Sequence, residues 1–227
     1  MGKPSIEEVK QKIDSWDFVD SLPSTIGNFI KVKKGDISGQ IITLCTYVNE
    51  PLKAKIGLIY SHETQDYILT QHMGLNYYRD VRFIYREEDI FASKVKEALP
   101  GIVNLMENPK ARNLGEMVEE KGILNWEYGN SLPEKIGDFE RYIKPMEAIE
   151  HLNGSIIFLD YSNFAKSDQV VFYYNRLRDQ FFAEFKIGGV FSNTKDFDCN
   201  SLKTLEEKIK KHLERSIEYV SNEDHSL

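Results

Sequence analysis

The sequence predicts an α+β fold made twice over: a tandem duplication of a small antiparallel-sheet domain flanked by helices. Three observations carry this. Trp16-Asp-Phe-Val-Asp-Ser-Leu-Pro-Ser-Thr-Ile-Gly-Asn-Phe29 recurs 110 positions later as Trp126-Glu-Tyr-Gly-Asn-Ser-Leu-Pro-Glu-Lys-Ile-Gly-Asp-Phe139, with seven of fourteen positions identical. In both copies this motif is followed by runs rich in Ile, Val, Tyr and Phe joined by short connections. Both then close on a helical pattern, in which Phe91, Lys94, Val95 and Leu99 match Leu205, Lys208, Ile209 and Leu213. So long a period denotes a whole domain, since solenoid repeats run to about 20–50 residues. The expected domains are residues 1–108 and 109–227.

Ser5-Ile-Glu-Glu8 reads as a capping box, so a helix should begin there, carry Ile6, Val9 and Ile13 on one face and stop before Trp16. Its counterpart in the second copy is Leu114 to Leu124. Leu-Pro-x-x-Ile-Gly-x-Phe follows as the entry to the sheet: proline biases the leucine before it to an extended form, and glycine permits a turn. Strands are expected at 39–48, 54–61 and 67–73, and at 154–162, 168–175 and 181–187. A competing pattern makes 66–73 and 179–187 short helices closed by Gly74 and Gly188. A last strand near Val81 to Tyr85 precedes the final helix, which Leu99-Pro100-Gly101 should cut short in the first copy. In the second copy it runs on through Ile217, and Ser221 to Leu227 should fray. Met106 to Asn113 is the expected linker. Connections too short for crossovers favour antiparallel pairing over a βαβ array.

Aligning Gly39-Gln-Ile-Ile-Thr-Leu44 with Gly154-Ser-Ile-Ile-Phe-Leu159 gives an offset of 115, and thus a five-residue insertion near Glu147 to Leu152. On that alignment Cys45 faces Asp160 and Cys199 faces Tyr85. Thiols without counterparts suggest two reduced cysteines rather than a disulfide or metal pair. The offset then settles at 114, pairing Ile56, Leu58 and Tyr60 with Val170, Phe172 and Tyr174.

A composition of 41% hydrophobic and 29% charged residues is that of a packed globular protein. A net charge of −7 argues against a general nucleic-acid or anionic-membrane binder, because Lys and Arg must replace counterions on phosphates. No segment approaches the roughly 18 apolar residues of a membrane span, and the N-terminus lacks a signal-like apolar run; the cytoplasm is the expected location.

The Leu-Pro-x-x-Ile-Gly-x-Phe motif, a Gly-led strand and a Tyr-rich strand resemble a group of small uncharacterised bacterial proteins that open on Leu-Pro-x-x-Ile-Gly-Gly-Phe. The resemblance covers Ser21 to Tyr60 and Ser131 to Tyr174, and the second glycine is replaced by Asn28 and Asp138. It implies no activity and no catalytic residue.

His62, Glu63, Asp66 and His72 are the densest group of metal-ligand types, yet lack tight His spacing, and the second copy has Arg176, Leu177, Gln180 and Lys186 in their place. A polar hairpin tip is the expected reading, with no metal and no cofactor. Tyr77, Tyr78, Arg79 and Arg82 lie in a stretch of interleaved aromatics and arginines. Such a stretch can stack bases, but it also describes an exposed sheet edge, and Tyr and Arg anchor protein interfaces. Trp16 and Trp126 are expected to pack the first helix of each copy onto the sheet. The expected function is non-enzymatic binding of another protein, with Tyr77, Tyr78, Arg79, Arg82, Arg176 and Arg178 as candidate contact residues. The alternative is a small-molecule-binding protein or enzyme with one site between the copies, drawing on His62, Glu63, His72, Arg176 and Arg178.

Overall fold

In a computed structural model the chain divides into two units, Met1–Asn108 and Pro109–Leu227, of which residues 4–32, 35–151 and 154–222 are described. The first unit opens on α1 (Ile6–Asp14) and α2 (Phe18–Ser21), then β1 (Thr25–Ile26), β2 (Phe29–Val32) and β3 (Ile37–Ser38). The meander β4 (Ile41–Asn49), β5 (Ala54–Ser61), β6 (Asp66–Met73) and β7 (Asn76–Tyr85) leads to α3 (Glu88–Glu107). The sheet order is β1-β2-β4-β5-β6-β7, with β3 on β4.

The second unit repeats this plan. It comprises α4 (Glu116–Glu120), α5 (Glu127–Ser131), β8 (Lys135–Ile136), β9 (Phe139–Ile143), β10 (Ile149–Glu150), β11 (Ser155–Asn163), β12 (Asp168–Asn175), β13 (Gln180–Ile187), β14 (Val190–Asn193) and α6 (Leu202–Asn222). Its order is β14-β13-β12-β11-β9-β8, with β10 on β11. All pairings within both sheets are antiparallel, so the α+β tandem architecture stands.

The repeated motif is structural. Gly27 and Gly137, at φ +55° and +57°, begin the two-residue turns that join β1 to β2 and β8 to β9. A side chain at Gly27 would also meet the Glu107 carboxylate, which accepts from the Asn28 amide at 2.7 Å. The Pro23 and Pro133 carbonyls each accept a hydroxyl at 2.6 Å, from Tyr47 and Tyr161. A cation from the next strand satisfies the carbonyls of the short helix: Lys31 reaches Val19 and Leu22, and Arg141 reaches Gly129 and Asn130. Burial, foremost, pushes both tyrosine hydroxyls up to about 12, which keeps them donors. Tyr47→Phe and Tyr161→Phe should each lower stability by about 1 kcal/mol in urea unfolding, since each removes one part-buried hydrogen bond.

These paired tyrosines fix the copy-to-copy offset at 114 within β4 and β11, as do the bulges after Thr43 and Ile157. The offset of 115 is therefore corrected: the net insertion is four residues, and Cys45 corresponds to Leu159. Asp160 corresponds to Thr46, on the other face of the sheet. Cys199 does correspond to Tyr85, for it bridges to Phe181 as Tyr85 pairs with Tyr67.

Segments 66–73 and 179–187 are strands in the structure, Asp66–Met73 and Gln180–Ile187, because both pair on each side within a sheet. The final helix of the first unit does not stop at Pro100. It continues to Glu107 because Ile102, Val103 and Met106 extend the buried stripe of Phe91, Val95 and Leu99, and their burial outweighs the roughly 3 kcal/mol cost of an interior proline. Met106 and Glu107 therefore belong to the helix, and the units part after Asn108. The counterpart of α1 shrinks to five residues between Gly115 and Gly122, both at positive φ. The last strand of the first unit is longer than expected, beginning at Asn76. The expected fraying of the tail concerns residues of which those after 222 lie outside the described ones.

In the second unit the helices cover one face of the sheet. Tyr161, Val170, Phe172, Tyr174, Phe181, Ala183 and Phe185 point to them, in one core with Leu205, Ile209 and Leu213. Trp126 joins this core beside Phe158, over Gly129, where a Cβ would fall 2.1 Å from the ring. In the first unit Val19 stands where Gly129 stands in the second, and Trp16 is only half-buried, against Phe18 and Tyr67.

A candidate binding edge

β7 ends the first sheet, and among the described residues it pairs with β6 alone. The ladder is regular from Met73↔Asn76 to Thr70↔Arg79, then resumes at Ile68↔Ile84. Leu69 thus lies opposite the four residues Asp80 to Phe83, which form an outward bulge.

The local sequence dictates this shape. Asp80 turns inward, 4% exposed, and accepts from Gln71 Nε2 at 2.9 Å and from the Arg82 amide, Nε and Nη2 at 3.1, 2.9 and 2.7 Å. Phe83 also turns inward. Between these two anchors Val81 is pushed out to 71% exposure. Tyr77 (43%) and Ile84 (37%) add apolar surface along the same strand. Tyr77 packs on His72 at 4.6 Å, and His72 is held below the usual histidine range by burial and then by the Lys55 ammonium. Arg79 Nε lies 3.4 Å from the Tyr77 hydroxyl, and among the described residues Arg79 has no carboxylate partner.

The six candidate residues therefore divide. Tyr77, Arg79 and Arg82 share the exposed edge, while Tyr78 is half-buried on the other side of the strand. Arg176 and Arg178 lie in the turn between β12 and β13 of the second unit. Asn175 Oδ1 shapes that turn by accepting from the amides of Leu177 and Arg178 at 3.0 Å. Arg176 pairs with Glu150 at 2.5 Å, a structural engagement; Arg178 is exposed.

The four residues of metal-ligand type do not converge. Both ring nitrogens of His62 are engaged, by Gln40 Oε1 and the Pro4 carbonyl at 2.9 Å, while His72 lies at the far end of β6 from Asp66. Six residues of strand separate these two by about 20 Å. No group of three or more His, Cys, Asp and Glu side chains suited to a metal occurs among the described residues.

Sequence reasoning missed the face of the second sheet opposite its helices. There Asp160, fully buried, accepts from Ser162 Oγ at 2.6 Å and Gln169 Nε2 at 2.5 Å. His151, Tyr173 and Phe182 stack in succession beside them, and Lys186 lies 4.7 Å over Phe191. Burial, then Lys186, pulls His151 down to about 4, whereas burial, then the Glu184 carboxylate, raises Tyr173. At the matching places the first unit has Thr46, Val48, Lys55, Ile59 and His72. Strict alternation counted from Tyr161 would have placed Asp160 and Ser162 on this face, but the one-residue misalignment hid it.

Comparisons with protein-family models, with curated proteins and with solved structures return no match. No helix among the described residues is long and apolar enough to cross a membrane.

Proposed function

We propose that this chain is a non-enzymatic binding protein built from two copies of one small domain, and that it binds another protein at the β7 edge. The observation that carries the reading is Val81, 71% exposed at the crest of a bulge held by the buried Asp80, on a ten-residue edge strand. Edge strands are ordinarily shortened or covered because their unpaired backbone invites another chain. The equivalent edge of the second unit, β14, is only four residues long and also exposes Val190 and Phe191, whereas β7 keeps its ten residues and displays Tyr77, Val81 and Ile84. Tyrosine and arginine around an apolar centre is the usual make-up of an interface anchor.

The test is affinity capture from cells that naturally make the protein, with the full chain and its Val81→Glu variant as paired baits. Val81 is 71% exposed, so the variant should keep its circular dichroism spectrum and melting temperature. The reading expects one partner retained at least tenfold better by the unaltered chain. Equal capture by both baits would overturn it.

A further inference from the structure

Resting on that reading, we infer that the β7 edge takes an extended, carboxylate-bearing segment of its partner as an added strand. From Asn76 to Arg79 the strand is regularly paired on its inner side, and in such a ladder alternate residues turn their N–H and C=O outward, ready for one more strand. The bulge at Asp80 to Phe83 ends that run, so the added ladder spans about four residues.

The side chains beside the run select the partner's chemistry. Tyr77 and Arg79, two apart, project on one face. Arg79 brings a guanidinium with no carboxylate partner among the described residues, steadied by the Tyr77 hydroxyl. Further along, the side chains of Arg82 and Arg86 remain 67% and 78% exposed although each has a carboxylate neighbour, Asp80 and Asp66. Three guanidinium groups thus line one short edge of a chain whose net charge is −7. The planar fork of arginine matches carboxylate geometry, and Glu or Asp on an added strand would stand opposite it. A second copy of this chain fits less well, because a two-fold pairing of β7 with itself gathers six arginines on that edge.

Random twelve-residue peptides displayed on phage, selected on the immobilised full chain, test the inference. Enriched sequences should place Glu or Asp among β-branched or aromatic residues. The corresponding synthetic peptide should bind at least tenfold more weakly to Arg79→Glu, and a Glu→Lys peptide should regain affinity for that variant. Arg79→Gln, which keeps the length and loses only the charge, should fall between. No enrichment, enriched peptides without acidic residues, or binding indifferent to Arg79 would each overturn the inference. So would preferential binding of single-stranded oligouridylate, or a dimer in sedimentation velocity that Arg79→Glu dissolves. If Val81→Glu abolishes partner capture while the selected peptides lack acidic residues, the acidic strand falls and the binding edge stands. If Val81→Glu changes nothing, both fall.

Discussion

Trp126→Ala should lower the stability of the second unit by about 3–5 kcal/mol, the usual cost of deleting a large buried aromatic side chain. The indole is 8% exposed, lies edge-on to Phe158 at 6.2 Å and is packed over Gly129 so closely that no larger residue fits there. Its removal leaves a void that the glycine cannot fill, because the surrounding helix α5 is held by Arg141 through two backbone carbonyls. Trp16→Ala should cost less, about 2–3 kcal/mol, since Trp16 is only half-buried where it packs against Phe18 and Tyr67. Urea unfolding followed at two probes, one per unit, checks both values without assuming that the units melt together. Equal losses at the two tryptophans would contradict the difference in packing.

The second large effect is acid loss of stability through His151. Burial holds its folded-state value at about 4, against 6.5 for the free side chain. The unfolded chain therefore takes up a proton that the folded chain resists, and protonation favours unfolding. Stability from this group is full above about pH 6.5, falls as the pH drops toward 4, and amounts to up to about 3 kcal/mol at 1.36 kcal/mol per unit. The carboxylates of Glu134 and Asp179 have the same sign but act lower, since hydrogen bonds from Arg141 and Lys144 to Glu134, and from Lys121 and Tyr174 to Asp179, hold them below the ordinary carboxylate range. His151→Gln separates the two causes. The variant should show a shallower fall of the urea midpoint between pH 7 and 5 than the unaltered protein, the remaining slope coming from His72, which burial also holds below the usual histidine range, and matching profiles would remove His151 from the account.

The repeat made most of the fold legible, because identical apolar spacing in two copies shows which positions the core requires. Ala54–Ser61 and Asp168–Asn175 were readable to the residue for that reason. Pro100 misled because its cost is local and visible, whereas the compensating burial of Ile102, Val103 and Met106 depends on a helix face that only the tertiary structure defines. The candidate edge was half legible. Tyr77, Arg79 and Arg82 stood out by type and spacing, but Val81 looked like an ordinary strand valine, since nothing in the sequence says that Asp80 turns inward to hold Gln71 and Arg82. The polar face at Asp160 escaped because a single-residue error in register exchanges the two faces of a strand.

The most direct measurement is site-specific photocrosslinking in cells that naturally make the protein, with a photoreactive amino acid at Val81 and, as a control, at the still more exposed Leu177 in the second unit. A single adduct of defined mass at Val81, absent at Leu177 and identified as another protein, is the predicted result. No adduct at Val81, or the same adducts at both positions, would contradict a binding edge at β7.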